Sequence, residues 1–174
     1  MNVWYSLSDI PGDEASVVTI GNFDGMHNGH KKVVSTCIER AHKLGVDAVA
    51  ITFDPHPIQV HKPEVGLQLI SPLRDRLDAM AAAGLDATLV AHYDASVYSL
   101  EPEEFVYEYL VERCGAREVV VGEDFRFGRG NAGTIDTLRE LGSRYGFGVI
   151  TVTDIEAPEG RRWSSSWVRE LLAA

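Results

Sequence analysis

Cysteine is nearly missing from this sequence: two, Cys37 and Cys114, occur in 174 residues. Each falls in a helix-like segment beside apolar residues, and neither has another Cys or a His nearby at ligand spacing. They read as reduced, structural thiols, which suits a reducing cytoplasm. No apolar run is long enough to span a bilayer. The N-terminal stretch MNVWYSLSDIPGDE lacks a basic flank followed by an apolar segment, so neither a membrane span nor a signal peptide is expected. Basic residues are also scarce, with 16 Lys and Arg against 26 Asp and Glu for a net charge of -10. Phosphate backbones need a basic footprint, so nonspecific binding to nucleic acid is disfavoured. A small phosphate-bearing ligand remains open, because a few local groups decide its binding. There is no internal repeat, low-complexity segment or linker.

What is present is an ordinary globular composition, 45% hydrophobic and 24% charged. The length suits one domain over residues 1–174 with a sizeable core. Strands are expected at Val17–Ile20, Asp47–Phe53, Ala87–Ala91, Glu118–Val121 and Gly148–Val152. Helices are expected at Lys31–Lys43, Leu73–Ala83, Glu103–Arg113, Thr134–Tyr145 and Ser166–Leu172. Residues 56–68 read as the longest irregular loop. Five strands alternating with helices imply an α/β fold, a parallel five-stranded sheet with helices on both faces. Such sheets bind ligands beyond the carboxyl ends of their strands, near a switch in strand order.

Four segments follow strands or open helices, where ligand chemistry is expected. The first is GNFDGMHNGH, Gly21 to His30. Gly21 and Gly25 allow a tight turn and close backbone approach. His27 and His30, three apart, both project from the start of a helix, whose free N–H groups and partial positive charge favour a polyphosphate. Two His on a helix can also ligate a metal, but no third ligand is spaced nearby, so no metal site is assigned. They can also be plain surface or capping residues. The pattern is neither a P-loop nor GxGxxG. The second segment, TFDPHP, holds His56 between two prolines, as a site residue or a surface residue of a plain loop. The third, VVVGEDFRFGRGNAGT, alternates Phe125 and Phe127 with Arg126 and Arg129. Aromatics there can stack on planar rings and arginines can grip phosphates, although at least one Phe is expected to pack inward. The fourth, RRWSSSWVREL, places three serines before a short helix with Arg169 one turn on. Serine hydroxyls and helix-end amides can hold a phosphate or simply cap the helix.

These four segments, in this order, resemble the adenylyltransferase domain of bacterial FAD synthetases. GNFDGMHNGH is similar to that family's GxFDGxHxGH signature, TFDPHP to its second motif, VVVGEDFRFGRGNAGT to its flavin-side motif and RWSSSWVREL to its closing SSTxIR motif. The resemblance extends over about residues 15 to 173 and includes SPLRDRLDAMAAAGLD. It implies a Rossmann-like HxGH nucleotidyltransferase fold and an FMN adenylyltransferase that makes FAD and pyrophosphate from FMN and ATP. By that resemblance His27 and His30 would contact the ATP phosphates, in a pocket shaped by Gly21, Phe23, Asp24 and Gly25. His56 would line the site, and Asp124, Phe125 and Arg126 would face the flavin. Ser164, Ser165 and Arg169 would hold the triphosphate, and Mg²⁺ would travel with ATP. Ser166 stands where the family usually has Thr, Trp163 where it tends to have Val or Ile, and Trp167 where a smaller or basic residue is usual. Bacterial relatives typically carry a riboflavin kinase domain downstream, and none is expected in this chain.

In the transfer so implied, an FMN phosphate oxygen attacks the α-phosphorus of ATP. Catalysis would be positioning plus cationic stabilisation from His27, His30, Arg169, Mg²⁺ and the helix N-terminus. The alternatives are an HxGH nucleotidyltransferase with another phosphorylated acceptor, or a domain that binds ATP or flavin without turnover. ATP and FMN are the expected partners, with neither nucleic acid nor membrane. No residue pattern specifies an oligomeric state.

Overall fold

The computed structural model describes residues 1–153 and 155–174. Six parallel strands form one sheet: β1 (Asn2–Trp4), β2 (Ser16–Ile20), β3 (Asp47–Asp54), β4 (Ala87–His92), β5 (Ala116–Gly122) and β6 (Gly148–Val152), in the order β1-β4-β3-β2-β5-β6. The helices are α1 (Asn28–Leu44), α2 (Pro57–His61), α3 (Leu73–Ala83), α4 (Ala95–Tyr98), α5 (Pro102–Phe105), α6 (Ile135–Tyr145) and α7 (Ser165–Ala173). After α5 the chain continues over Val106–Arg113 as a π-helix, ending with the Cys114 N–H donating to the Tyr109 carbonyl.

The sheet is buried on both faces because successive strand residues point opposite ways and nearly all are apolar. On one face, Val17, Ala48, Ala50 and Val120 pack against Val34, Cys37 and Ala41 of α1 and Met80 of α3. On the other, Val18, Val49, Ile51, Val119 and Val121 pack against Val106 and Leu110 of the π-helix and Leu138 and Leu141 of α6. Central strand β2 joins the two halves, with Val18 opposite Val49 on one side and Val119 on the other. The chain winds outward from β2 through β3 to β4, then returns to β5 on its far side. The carboxyl ends of β2 and β5 therefore meet at the switch in strand order, the place where open α/β sheets leave a crevice.

Three expectations need correction. The sheet has six strands, since Asn2–Trp4 pairs with Ala87–Leu89 at the edge. Three half-exposed residues carry no readable period, so only the partner strand reveals them. Residues 56–68 are not irregular throughout: α2 and a 3₁₀ turn at Pro63–Val65 lie within them, and Pro57 supplies the first helical position of α2. Helix α1 begins at Asn28, so His30 sits inside its first turn.

The turn entering β5 is tight. Gly115 has φ +56°, and an added Cβ would lie 2.4 Å from the Glu14 carbonyl oxygen. Gly115→Ala is expected to cost roughly 2–3 kcal/mol through left-handed strain and this clash. Urea unfolding followed by circular dichroism measures it, and a midpoint equal to wild type would refute the assignment.

Candidate active site

The histidine pair is built by the cap of α1. His27 is the N-cap residue, and its Nδ1 accepts the backbone N–H of Gly29 at 3.1 Å and of His30 at 3.4 Å. With Nδ1 accepting, the ring proton belongs on Nε2, as the hydrogen-bond network assigns it. The His27 ring stacks on that of His30 with centroids 3.6 Å apart, and Phe23 meets His30 edge-on at 5.5 Å. Burial, then the charge of Arg162, pulls the His27 pKa down. Burial and the neighbouring His27 bring His30 down to about 3, against a smaller upward pull from Asp24. In the ligand-free protein both shifts disfavour charge on the rings, which then offer N–H donors. The helix end is changed as well, since the His27 ring already occupies two of the amides expected to meet phosphate.

Two cavities open at the switch point and share Ile20, Gly21 and Phe125. The first, about 280 Å³, is faced by His27, His30, Gly122, Asp124 and the closing segment Arg162–Ser165. The second, about 310 Å³, is aromatic, with Phe53, Tyr93, Tyr98 and Phe127 around Arg126 and the Asn22 turn. It continues outward past Tyr93 and Tyr98 into an open basin of about 1050 Å³. Phe125 and Phe127 stack at 5.5 Å, with Phe127 buried as the inward anchor.

Asp24 turns out to be an organising residue. Only 1% exposed, it accepts the backbone N–H groups of Ile70 and Ser71 and pairs with Arg169. Gly25 beside it has φ +80°, and an added Cβ would lie 2.7 Å from Ile70. Arg169, expected at the triphosphate, faces neither cavity: Asp24 holds one end and its Nε donates to the Gln68 carbonyl at 2.9 Å. His56 also lines neither cavity. It is buried as the N-cap of α2, its Nδ1 accepting from the Ile58 N–H at 3.1 Å, and burial ahead of Arg169 lowers its pKa. Ser164 caps α7 through the Trp167 N–H, and Ser165 donates to the Asp24 carbonyl, yet both line the first cavity. Trp163 lines it too and packs on Trp167 at 4.7 Å.

Several site residues escaped the sequence. Arg162, on the wall of the first cavity, is ion-paired with Asp124. It stood beside the serines, but nothing ranked it above Arg161. Tyr93 and Tyr98 follow β4 at its carboxyl edge, and the rule that ligand residues follow strands pointed there. Asn22 and Phe53 flank residues already singled out.

The neutral His30 sets a pH dependence. Its folded pKa lies below the unfolded 6.5, so the unfolded chain binds more protons and stability falls as pH drops below 6.5. Between pH 6.5 and 5 this group is expected to remove about 1–2 kcal/mol. His30→Gln should flatten that part of a stability-versus-pH curve, and an unchanged slope would refute the assignment.

The FAD synthetase family pattern matches residues 9–167. A Geobacillus thermodenitrificans protein, provisionally named a bifunctional riboflavin kinase/FMN adenylyltransferase, is 38% identical over 94% of this chain and 84% of its own length. The Escherichia coli K12 protein of that name is 34% identical over 97% of this chain, which spans about half (53%) of that relative. Among solved structures, a Streptococcus pneumoniae protein described as a macrolide-efflux protein superposes with TM-score 0.83 at 26% identity, over 97% of this chain and 56% of that one. Pantothenate synthetase from Thermus thermophilus superposes at 0.59 and 15% identity, over 97% and 67%, a likeness of fold alone. By the family match over residues 9–167 and the 38% identical relative, the chain belongs to the FAD synthetase family.

Proposed function

We propose that this chain is the FMN adenylyltransferase its family implies, joining AMP from ATP to FMN to give FAD and pyrophosphate. The observation that carries this reading is the pair of cavities sharing a wall at Gly21 and Phe125, one faced by the histidine cap of a helix, the other lined with aromatic rings. ATP takes the first cavity. The isoalloxazine takes the second, where Phe53, Tyr93, Tyr98 and Phe127 offer apolar stacking faces, and the FMN phosphate reaches the seam between them.

An FMN phosphate oxygen forms a bond to the α-phosphorus of ATP while the bond to the β-phosphate bridging oxygen breaks, and pyrophosphate leaves in line. A phosphate monoester is mostly a dianion at neutral pH, so no general base is needed. The chain's work is positioning and donation to charge that develops on the leaving group. Nε2–H of His27 and the N–H of His30 serve as those donors, and Arg162, paired with Asp124 on the same wall, adds positive charge to this cavity. Among the described residues no three His, Cys, Asp or Glu side chains gather to hold an ion. Mg²⁺ would travel with ATP and screen the charge of its phosphates. Riboflavin has no phosphate nucleophile and is not converted in this step.

Among the described residues no helix is long and apolar enough to cross a membrane. Cys37 and Cys114 are buried and unpaired, with burial pushing both thiols up to about 12. We place the enzyme in the cytoplasm, where inert reduced thiols persist.

The test is FAD formation from ATP, Mg²⁺ and FMN, with riboflavin and other phosphorylated acceptors in parallel. FAD from FMN alone supports the reading, and turnover only with another acceptor overturns it. His30→Gln is expected to lower kcat about 10²-fold. Arg162→Gln is expected to raise the KM for ATP about tenfold, the loss of one charge-assisted contact, whereas an unchanged KM would remove Arg162 from the phosphate site.

A further inference from the structure

Arg76 is the largest fully buried side chain, 1% exposed, on the inner face of α3 one turn before Met80. Its Nη1 donates to the Asn22 carbonyl at 2.7 Å, to Thr52 Oγ1 at 3.3 Å and to the Phe53 carbonyl at 3.5 Å. Thr52 Oγ1 in turn donates to the same Asn22 carbonyl at 3.1 Å. Nε and Nη2 make no hydrogen bond among the described residues, and no described carboxylate forms an ion pair with the group. Burial lowers its pKa, and the more distant Asp24 and Asp54 push it back up.

A buried guanidinium without a carboxylate partner is expensive, and an apolar side chain would fill the same core space at lower cost. The contacts show what the arginine adds. Asn22 belongs to the turn that carries Phe23, Asp24 and the histidine cap, while Phe53 is the penultimate residue of β3, and both line the second cavity. One nitrogen therefore bridges the turn after β2 and the carboxyl end of β3, beside the wall that the two cavities share. We propose that Arg76 is a positioning residue for adenylyl transfer, tying the 21–25 turn to the end of β3 so that the shared wall keeps the reacting phosphates in line. This rests on the adenylyltransferase reading, and the bridge itself is testable without it.

The experiment compares the whole chain as wild type, Arg76→Met, Arg76→Lys and Thr52→Val, each first checked for folding by thermal melting. Folded Arg76→Met is expected to lose about 10- to 100-fold in kcat for FAD formation while the KM for ATP stays within about threefold, the signature of misplaced rather than unbound substrate. Arg76→Lys should recover part of that loss, and amide exchange at Gly21 and Gly25 should be at least about tenfold faster in Arg76→Met. A folded Arg76→Met with kcat within about twofold of wild type, whatever its melting temperature, overturns the proposal. If Arg76→Met does not fold, Thr52→Val, which removes the second donor to Asn22, decides: a kcat drop of about threefold or more supports the bridge and no change overturns it. If wild type makes no FAD, the acceptor reading fails, and exchange at Gly21 and Gly25 in Arg76→Met, or in Thr52→Val where that variant alone folds, decides the bridge.

Discussion

The buried carboxylate of Asp24 is the interaction on which the rest of the site depends. It accepts two consecutive backbone amides, Ile70 and Ser71, and pairs with Arg169 of α7. Its own carbonyl accepts the Ser165 hydroxyl, and the Gly25 N–H donates to Ser71. Through this one residue the turn after β2, the segment before α3 and the closing helix become a single body. Helix α7 buries no side chain fully, so its place over the first cavity rests on these polar ties more than on apolar packing. A buried carboxylate is tolerated only when its hydrogen bonds are supplied, and here amides and a guanidinium supply them.

The same architecture accounts for the charge state of the histidines. His27 folds back to cap α1, which commits its Nδ1 and brings its ring against His30. Two imidazoles at 3.6 Å in a partly dry pocket disfavour protonation of either, since each added charge would be desolvated and repelled. Fixed positive charge on the wall of that cavity comes from Arg162, which is paired there with Asp124.

Much of this was legible in the linear pattern. Strand–helix alternation conveyed a parallel sheet, because strands covered on both faces must be continuously apolar. Gly21 to His30 was legible as a strand-to-helix turn that presents two histidines, because glycine and histidine rarely combine so in any other setting. Phe125 and Phe127 were legible as an aromatic loop with one inward anchor. The edge strand at Asn2–Trp4 was not, because three residues have no periodicity and become a strand only beside β4. Nor was the division of labour between Arg162 and Arg169, because both follow or precede the serines at similar distance.

The sequence by itself determined the fold class, the order of the motifs and the identity of the groups that could meet a phosphate or a planar ring, since these depend on residue type and local spacing. The tertiary structure decided which of them face a cavity. His56 became a helix cap and Arg169 a tether to Asp24, while Tyr93, Tyr98 and Arg162 reached the cavity walls. Those outcomes depend on contacts between segments up to 145 positions apart, such as Asp24 with Arg169, whose energies exist only once the sheet has brought the loops together.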